Sequence, residues 1–250
     1  MTNEAALQEH CFYCFETIHA ELHGVQLSPP PFDASPEFPL FVTWNIKSRT
    51  DGEYRLRGCI GQFEAGPLGD RLREYAAISA FRDHRFDPVT AKELARLECG
   101  VSLLTDFERC FDWQDWELGT HGIYVEVINP ALNLSASHIP SPEPPVVNGS
   151  GVQESYRSLS ALPKLKVNVP SSANPRRLPT VLHATFLPEV APAQGWSKQE
   201  AVDAAIRKAG FKGVVTDEMR QQARVSRYQS KKAKADYNEW QDWRRGQGRG

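Results

Sequence analysis

Long apolar runs are missing from this chain. No stretch approaches the roughly 18 consecutive apolar residues that a membrane-spanning helix needs. Its first residues, Met1-Thr2-Asn3-Glu4, have neither the basic start nor the apolar stretch of a signal peptide. A cytoplasmic or nuclear protein with reduced thiols, and no membrane partner, is therefore expected. A one-sided charge is also missing. The formal net charge of −2 supplies no global field to draw the chain to nucleic acid or anionic lipid. Neither a phosphate-binding loop, nor a dinucleotide-binding glycine pattern, nor a paired-histidine zinc helix is found. The sequence names no cofactor and no metal.

The five cysteines are odd in number and irregularly spaced, which argues against a disulfide framework. Cys11-x-x-Cys14 has the spacing of a metal or redox pair but no second pair to complete a zinc site. Cys11, Phe15, Ile18 and Leu22 recur at helical spacing, so Cys11 and Cys14 read as small core residues.

What is present, 40% hydrophobic residues and 24% charged, describes an ordinary globular protein long enough to bury a sizeable core. Periodicity predicts a helix from about Glu4 to His23, ended by Gly24. A proline-rich stretch holds the next segment extended. Leu40–Trp44 reads as a buried strand, and Tyr54–Cys59 as the second arm of a hairpin across an Asp51-Gly52 turn. Pro67 suits the first turn of a helix carrying Leu68, Leu72, Tyr75, Ala76 and Ser79 inward. Thr90-Ala-Lys-Glu93 and Ser197-Lys-Gln-Glu200 have the form of capping boxes, each expected to open a helix. Residues 99–104, 123–128 and 224–228 read as strands. Elements mix without a βαβ rhythm, so the expected class is α+β, with an antiparallel or mixed sheet and flanking helices.

Two segments stand apart. Nine of the chain's 18 prolines fall between Asn129 and Thr180, with too few large apolar residues for a core of their own. Residues 129–180 are expected to be a disordered Pro/Ser-rich insertion in a domain formed by 1–128 and 181–230. From Arg220 onward, nine basic residues face three acidic ones, with Tyr237, Trp240 and Trp243 interleaved. Residues 231–250 read as a basic flexible tail. As an RNA-binding arm it would use Lys231, Lys232, Lys234, Arg244, Arg245 and Arg249 for phosphates and the tryptophans for stacking. A plain solvated extension is the alternative.

Several quoted segments resemble the AMMECR domain family, in the family's order. They are Leu40-Phe-Val-Thr-Trp44, Leu56-Arg-Gly-Cys-Ile-Gly61, Leu72-Arg-Glu-Tyr75, Val101-Ser-Leu-Leu-Thr105 and His121-Gly-Ile123. Leu187-Pro-Glu-Val190, Gln194-Gly-Trp196 and Arg227-Tyr228 extend the likeness to roughly residues 8–128 and 182–230. The insertion and the residues beyond about Lys232 depart from it. The resemblance implies a larger and a smaller α+β subdomain with a cleft between them, and an activity that is unassigned. It also implies a metabolic or modification role, since some prokaryotic members are associated with a dioxygenase-like partner and a radical-type enzyme.

Read as chemistry, Leu56–Gly61 is the best candidate for the functional centre. Gly58 and Gly61 allow a bulge or close approach of a ligand or backbone, and leave Cys59 on an uncluttered surface. A nearby Arg57 and a histidine would favour its thiolate. The candidate catalytic set is Cys59, His121 as base and Glu74 as carboxylate. Arg57, Gly58, Gly61, Asp83 and Arg85 are the candidate ligand-binding residues. The same residues admit a packing role: Cys59 as a small residue at a bulge, Arg57 paired with Glu74 or Asp83, His121 as a turn residue, and Glu74 on a solvated face. Two functional classes follow. One is an enzyme using Cys59 on a small molecule or protein side chain. The other is a non-catalytic adaptor that receives a protein partner.

Overall fold

The structure is a computed structural model that describes residues 6–129 and 181–248. In chain order its elements are α1 (Gln8–His23), β1 (Glu37–Lys47), β2 (Tyr54–Pro67), α2 (Leu68–Phe81) and β3 (Leu97–Arg109). They continue with β4 (Gly122–Ile128), β5 (Val181–Phe186), α3 (Val190–Ala193), α4 (Lys198–Lys208), α5 (Asp217–Gln222), β6 (Arg224–Asp236) and α6 (Tyr237–Gly246). The protein is α+β, with strands in the order β2-β1-β3-β6-β4-β5. The chain divides into two compact units, residues 1–105 with 231–250, and residues 106–230. All of the expected insertion, residues 129–180, except Asn129 lies outside the described residues.

In the first unit, the β1–β2 hairpin closes through the Ser48 N–H and Glu53 carbonyl at 2.8 Å, with Lys47 opposite Tyr54. β1 also pairs antiparallel with β3, Thr43 opposite Gly100. Side chains alternate along β1, so Leu40, Val42 and Trp44 enter the core while Phe41, Thr43 and Asn45 face the other way. α1 and α2 cover the core face. Trp44, fully buried, donates its indole N–H to the Ala76 carbonyl at 3.1 Å and meets Phe15 edge-on. Cys11, Cys14 and Cys99 are completely buried in this core. Burial raises the Cys14 and Cys99 thiols above their ordinary pKa, so the helical reading of the Cys11–Cys14 pair holds. Among the described residues, no group of three or more His, Cys, Asp or Glu is placed to hold a metal ion.

The C-terminal stretch differs from the flexible tail expected. β6 runs on to Asp236, whose carboxylate accepts the Asn238 and Glu239 N–H groups at 2.8 and 3.0 Å and opens α6. Glu239 completes the box by accepting the Asp236 N–H at 2.8 Å. Trp240 is fully buried, stacked on Phe15 and donating to Glu16 at 2.9 Å, and Trp243 stacks on Phe12. Arg244 Nε lies 3.1 Å from Glu16, an ion-pair contact without hydrogen-bond alignment. The aromatic residues taken for base-stacking groups are the apolar stripe of an amphipathic helix, and both tryptophans are occupied within the protein. That leaves neither tryptophan for stacking on bases.

In the second unit, β4 lies between β5 and β6 and pairs antiparallel with both. α4 opens with the expected box, Glu200 accepting the Ser197 N–H at 2.8 Å. Its core joins Trp113, Trp116, Ile123, Val125, Ile206 and Val225. Arg220 of α5 is buried and grips Asp203 of α4 through two hydrogen bonds of 2.6 and 2.9 Å. Among the described residues, no helix is long and apolar enough to cross a membrane.

Candidate functional site

Cys59 lies on β2, the first strand in the sheet order, directly opposite Thr43. An edge strand offers unpaired backbone groups, and two side chains answer them here. The Cys59 N–H donates to Asp83 Oδ2 at 2.9 Å, and its carbonyl accepts from the Arg85 guanidinium at 3.1 Å. Both ladder groups of Cys59 thus point away from β1. In an antiparallel pair that geometry brings the facing side chains close. The Thr43 hydroxyl donates to Cys59 Sγ at 3.2 Å.

Asp83 and Arg85 are themselves locked together. Arg85 Nε and Nη2 donate to the two carboxylate oxygens at 2.9 and 2.7 Å, and the Arg85 backbone N–H adds a third bond. The Arg85 hydrogen bonds, with that from the Cys59 backbone, lower the nearly buried Asp83 carboxyl to about 2. The polar connection after α2 thus acts as a two-residue substitute for a neighbouring strand.

Gly58 and Gly61 have steric reasons to be glycine. A Cβ on Gly58 would stand 2.0 Å from the Ser79 carbonyl oxygen, because the end of α2 presses directly on the strand. One on Gly61 would stand 2.2 Å from the Leu40 oxygen and 2.6 Å from the Phe41 Cα. The register slips between Trp44 and Asn45, leaving Arg57 as an extra residue between paired Leu56 and Gly58. The bulge takes Arg57 out of the ladder. It does not pair with Glu74 or Asp83, as the packing reading of the sequence expected. Its partner is Glu93, at 2.9 and 3.2 Å, and it also donates to the Asp87 carbonyl at 2.7 Å. Glu93 simultaneously accepts the Thr90 N–H and hydroxyl, half of the expected capping box, while the Glu93 N–H goes to the Thr90 carbonyl. Only a 3-10 turn, Leu94–Arg96, follows in place of the expected helix.

The other proposed catalytic groups lie on other elements. His121 belongs to the second unit, where its Nδ1 accepts the Glu117 N–H at 3.0 Å and closes a turn. Glu74 sits on α2, half exposed, in an ion pair with Arg71 at 3.1 Å. Sequence reading missed Thr43, Asn45, Glu98 and Lys234. Asn45 and Lys234 both donate to Glu98 Oε1, at 2.9 and 3.2 Å, on the sheet face that carries Thr43. Strand alternation was the available signal, since it puts Thr43 and Asn45 on one face. The cross-strand partners Glu98 and Lys234 need the register.

The cysteines separate cleanly. Cys11, Cys14, Cys99 and Cys110 are buried, whereas Cys59 is partly exposed. Burial pushes the Cys110 thiol up to about 11. Fold and site together define an α+β protein built around a glycine-flanked cysteine on a latched edge strand. The chain belongs to the AMMECR1 family, whose pattern it matches over residues 11–141 and 179–233. An uncharacterized protein of Arabidopsis thaliana is 37% identical over 236 residues, covering 94% of this chain and 88% of its own length. An uncharacterized protein of Kluyveromyces lactis is 32% identical over 239 residues, covering 90% and 83%. The crystal structure of an uncharacterized protein from Pyrococcus horikoshii shares the fold, with a TM-score of 0.57 at 19% identity, covering 94% of this chain and 95% of that one.

Proposed function

We propose that this AMMECR1-family chain is a thiol-dependent enzyme in which Cys59 attacks an electrophilic carbon of a small molecule or protein side chain. The observation that carries the reading is the Thr43 hydroxyl donating to Sγ of the partly exposed cysteine. A donor aimed at sulfur favours the thiolate, and the Asp83–Arg85 latch fixes the backbone beneath it. In the step proposed, the thiol proton passes to water, a sulfur–carbon bond forms, and the leaving group departs with its electron pair. Iodoacetamide at neutral pH should modify Cys59 well ahead of the four buried cysteines, as read by peptide mass spectrometry. Thr43→Val should slow that modification several-fold while leaving the circular dichroism spectrum unchanged. Cys59 reacting no faster than the buried cysteines would sink the proposal.

A second reading, a non-catalytic adaptor, is favoured by Leu56 and Tyr54, which are 44% and 37% exposed on the edge strand ahead of the latch. An extended peptide adding to that edge would cover them. Leu56→Asp should then abolish partner binding without changing Cys59 alkylation. Binding that survives Leu56→Asp counts against the adaptor.

A further inference from the structure

Hydrogen bonding along an antiparallel hairpin alternates, and in β2 its phase is fixed at both ends. At the turn the Ser48 N–H bonds the Glu53 carbonyl, so that pair is hydrogen-bonded and the next, Lys47 with Tyr54, is not. One step on, Ile46 and Arg55 exchange bonds, and Asn45 with Leu56 again do not. The N–H and C=O groups of Tyr54 and Leu56 therefore point away from β1. Cys59 is in the same phase beyond the bulge, as its bonds to Asp83 and Arg85 show. The protein answers the outward groups of Cys59, and among the described residues nothing answers those of Tyr54 and Leu56.

Tyr54, Leu56 and Cys59 stand opposite Lys47, Asn45 and Thr43, so all three share the sheet face turned away from α1 and α2. The open stretch is short. The Asp51-Gly52 turn ends it on one side, and the Asp83–Arg85 latch ends it on the other, at the thiol. Unpaired ladder groups flanked by exposed Tyr and Leu side chains fit an extended polypeptide, whose own backbone supplies the missing donors and acceptors. The charge left over selects its sign. Lys47, Arg49 and Arg96, whose Nε donates to the Lys47 carbonyl at 2.9 Å, have no carboxylate partner among the described residues. Of the nearby acids, Asp51 is paired with Arg55 and Glu98 with Lys234, while Asp236 and Glu239 accept the N–H groups of the α6 box. Glu53 alone stands against the three cations.

We infer that the substrate of Cys59 is an acidic polypeptide in extended conformation, added antiparallel to β2 at Tyr54 and Leu56 with its N-terminal end at the latch. This rests on the thiol reading for the reaction and narrows its substrate to a polypeptide. Residues opposite Tyr54 and Leu56 aim both backbone groups at β2 and place their side chains on the face that carries the thiol. Past Leu56 the added ladder stops, because Asp83 and Arg85 already hold the Cys59 backbone. The polypeptide lifts off there, about two strand steps of about 3.4 Å short of the cysteine. The residues just N-terminal to the paired segment are the ones that meet Sγ.

Two measurements separate binding from reaction. In the first, the Cys59→Ser protein is titrated with acetyl-Gly-Val-Glu-Val-Glu-amide, whose valines face Leu56 and Tyr54, and backbone amide resonances are followed. Saturable shifts at Tyr54 and Leu56 are expected at millimolar peptide, with affinity at least threefold lower when Lys replaces both Glu. Methylating the two valine nitrogens, which face β2, should abolish the shifts. Methylating the two glutamate nitrogens, which face solvent, should change the affinity by less than threefold. Leu56→Pro deletes an outward donor and no β1–β2 bond, so it should abolish the shift at Tyr54. If that variant unfolds, the two methylated peptides decide alone. Absent shifts, or equal loss from both methylation patterns, overturn the inference. In the second, the same peptide carrying iodoacetyl in place of acetyl is compared with iodoacetamide on the parent protein. In both, the sulfur–carbon bond forms as iodide leaves with its electron pair. The peptide should alkylate Cys59 at least tenfold faster, a ratio that falls to about one in Leu56→Pro. A Cys59 inert to both reagents sinks the thiol reading, whereas one that reacts with iodoacetamide and shows no gain with the peptide sinks the polypeptide substrate alone.

Discussion

Around Cys59, the same few side chains do two things. Asp83 and Arg85 satisfy the backbone of an edge strand, and in doing so they determine where the thiol sits. The Asp83 carboxyl is held at about 2, below its unfolded value near 4, chiefly by the Arg85 hydrogen bonds. A group with a depressed folded pKa contributes stability above its unfolded pKa and loses it as pH falls through the folded one. The latch should therefore be intact at pH 5 and weaken between about pH 4 and pH 2. Asp83→Asn should remove about 2 kcal/mol at pH 7, read by urea unfolding, and flatten that acid limb. An unchanged acid limb in the variant would show that other carboxylates govern it. Gly58 gives a second residue-scale test. A methyl group there would lie 2.0 Å from the Ser79 carbonyl oxygen, so Gly58→Ala should cost about 2–3 kcal/mol as α2 is pushed off the strand. Gly100→Ala, with contacts no closer than 3.7 Å, should be close to neutral in the same assay.

Among the elements, α6 shows what a sequence pattern leaves open. Tyr237, Trp240 and Trp243 recur every three residues, which suits either a helix stripe or aromatic groups spaced among cations for stacking. Nothing local decides between them. The decision comes from α1, more than two hundred residues earlier, where Phe12, Phe15 and Glu16 form the receiving surface. Trp240→Ala should therefore cost about 3–5 kcal/mol, a core penalty, where a solvated tail residue would cost almost nothing. A change in the urea midpoint within error would return α6 to the surface. Elements whose signals are local were legible. Ser197 and Glu200 open α4, and the Asp51-Gly52 turn closes the β1–β2 hairpin, as their sequences say. The Thr90–Glu93 box was legible as a set of hydrogen bonds but not as a helix, because Arg57 also claims Glu93 and β3 begins at Leu97. The site was half legible for the same reason. Leu56–Gly61 marked its location through glycines and a cysteine close in sequence. Thr43, Glu98 and Lys234 meet across a strand register that one sequence does not print, and the actual partner of Arg57 lies 36 residues away.

On the scale of the whole molecule, the segment between β4 and β5 sets the last test. These strands pair along their full length, with Ile128 directly opposite Val181 and Ile123 opposite Phe186. The chain therefore leaves β4 and returns to β5 at neighbouring points, and a connection between the two strands has to join those points. A two-residue Asn-Gly turn meets that requirement, since its backbone twist matches a hairpin. Replacing residues 129–180 by Asn-Gly should leave the urea midpoint unchanged or raise it. Shortening a loop from about fifty residues to two recovers at most about 3 kcal/mol of closure entropy, about 0.6 kcal/mol per halving. Cys59 alkylation should proceed at the parent rate, because β2, β1 and the Asp83–Arg85 latch all belong to the first unit. A loss of more than about 1 kcal/mol would mean that the excised residues supply packing to the second unit, and a slower alkylation would give them a part in the site.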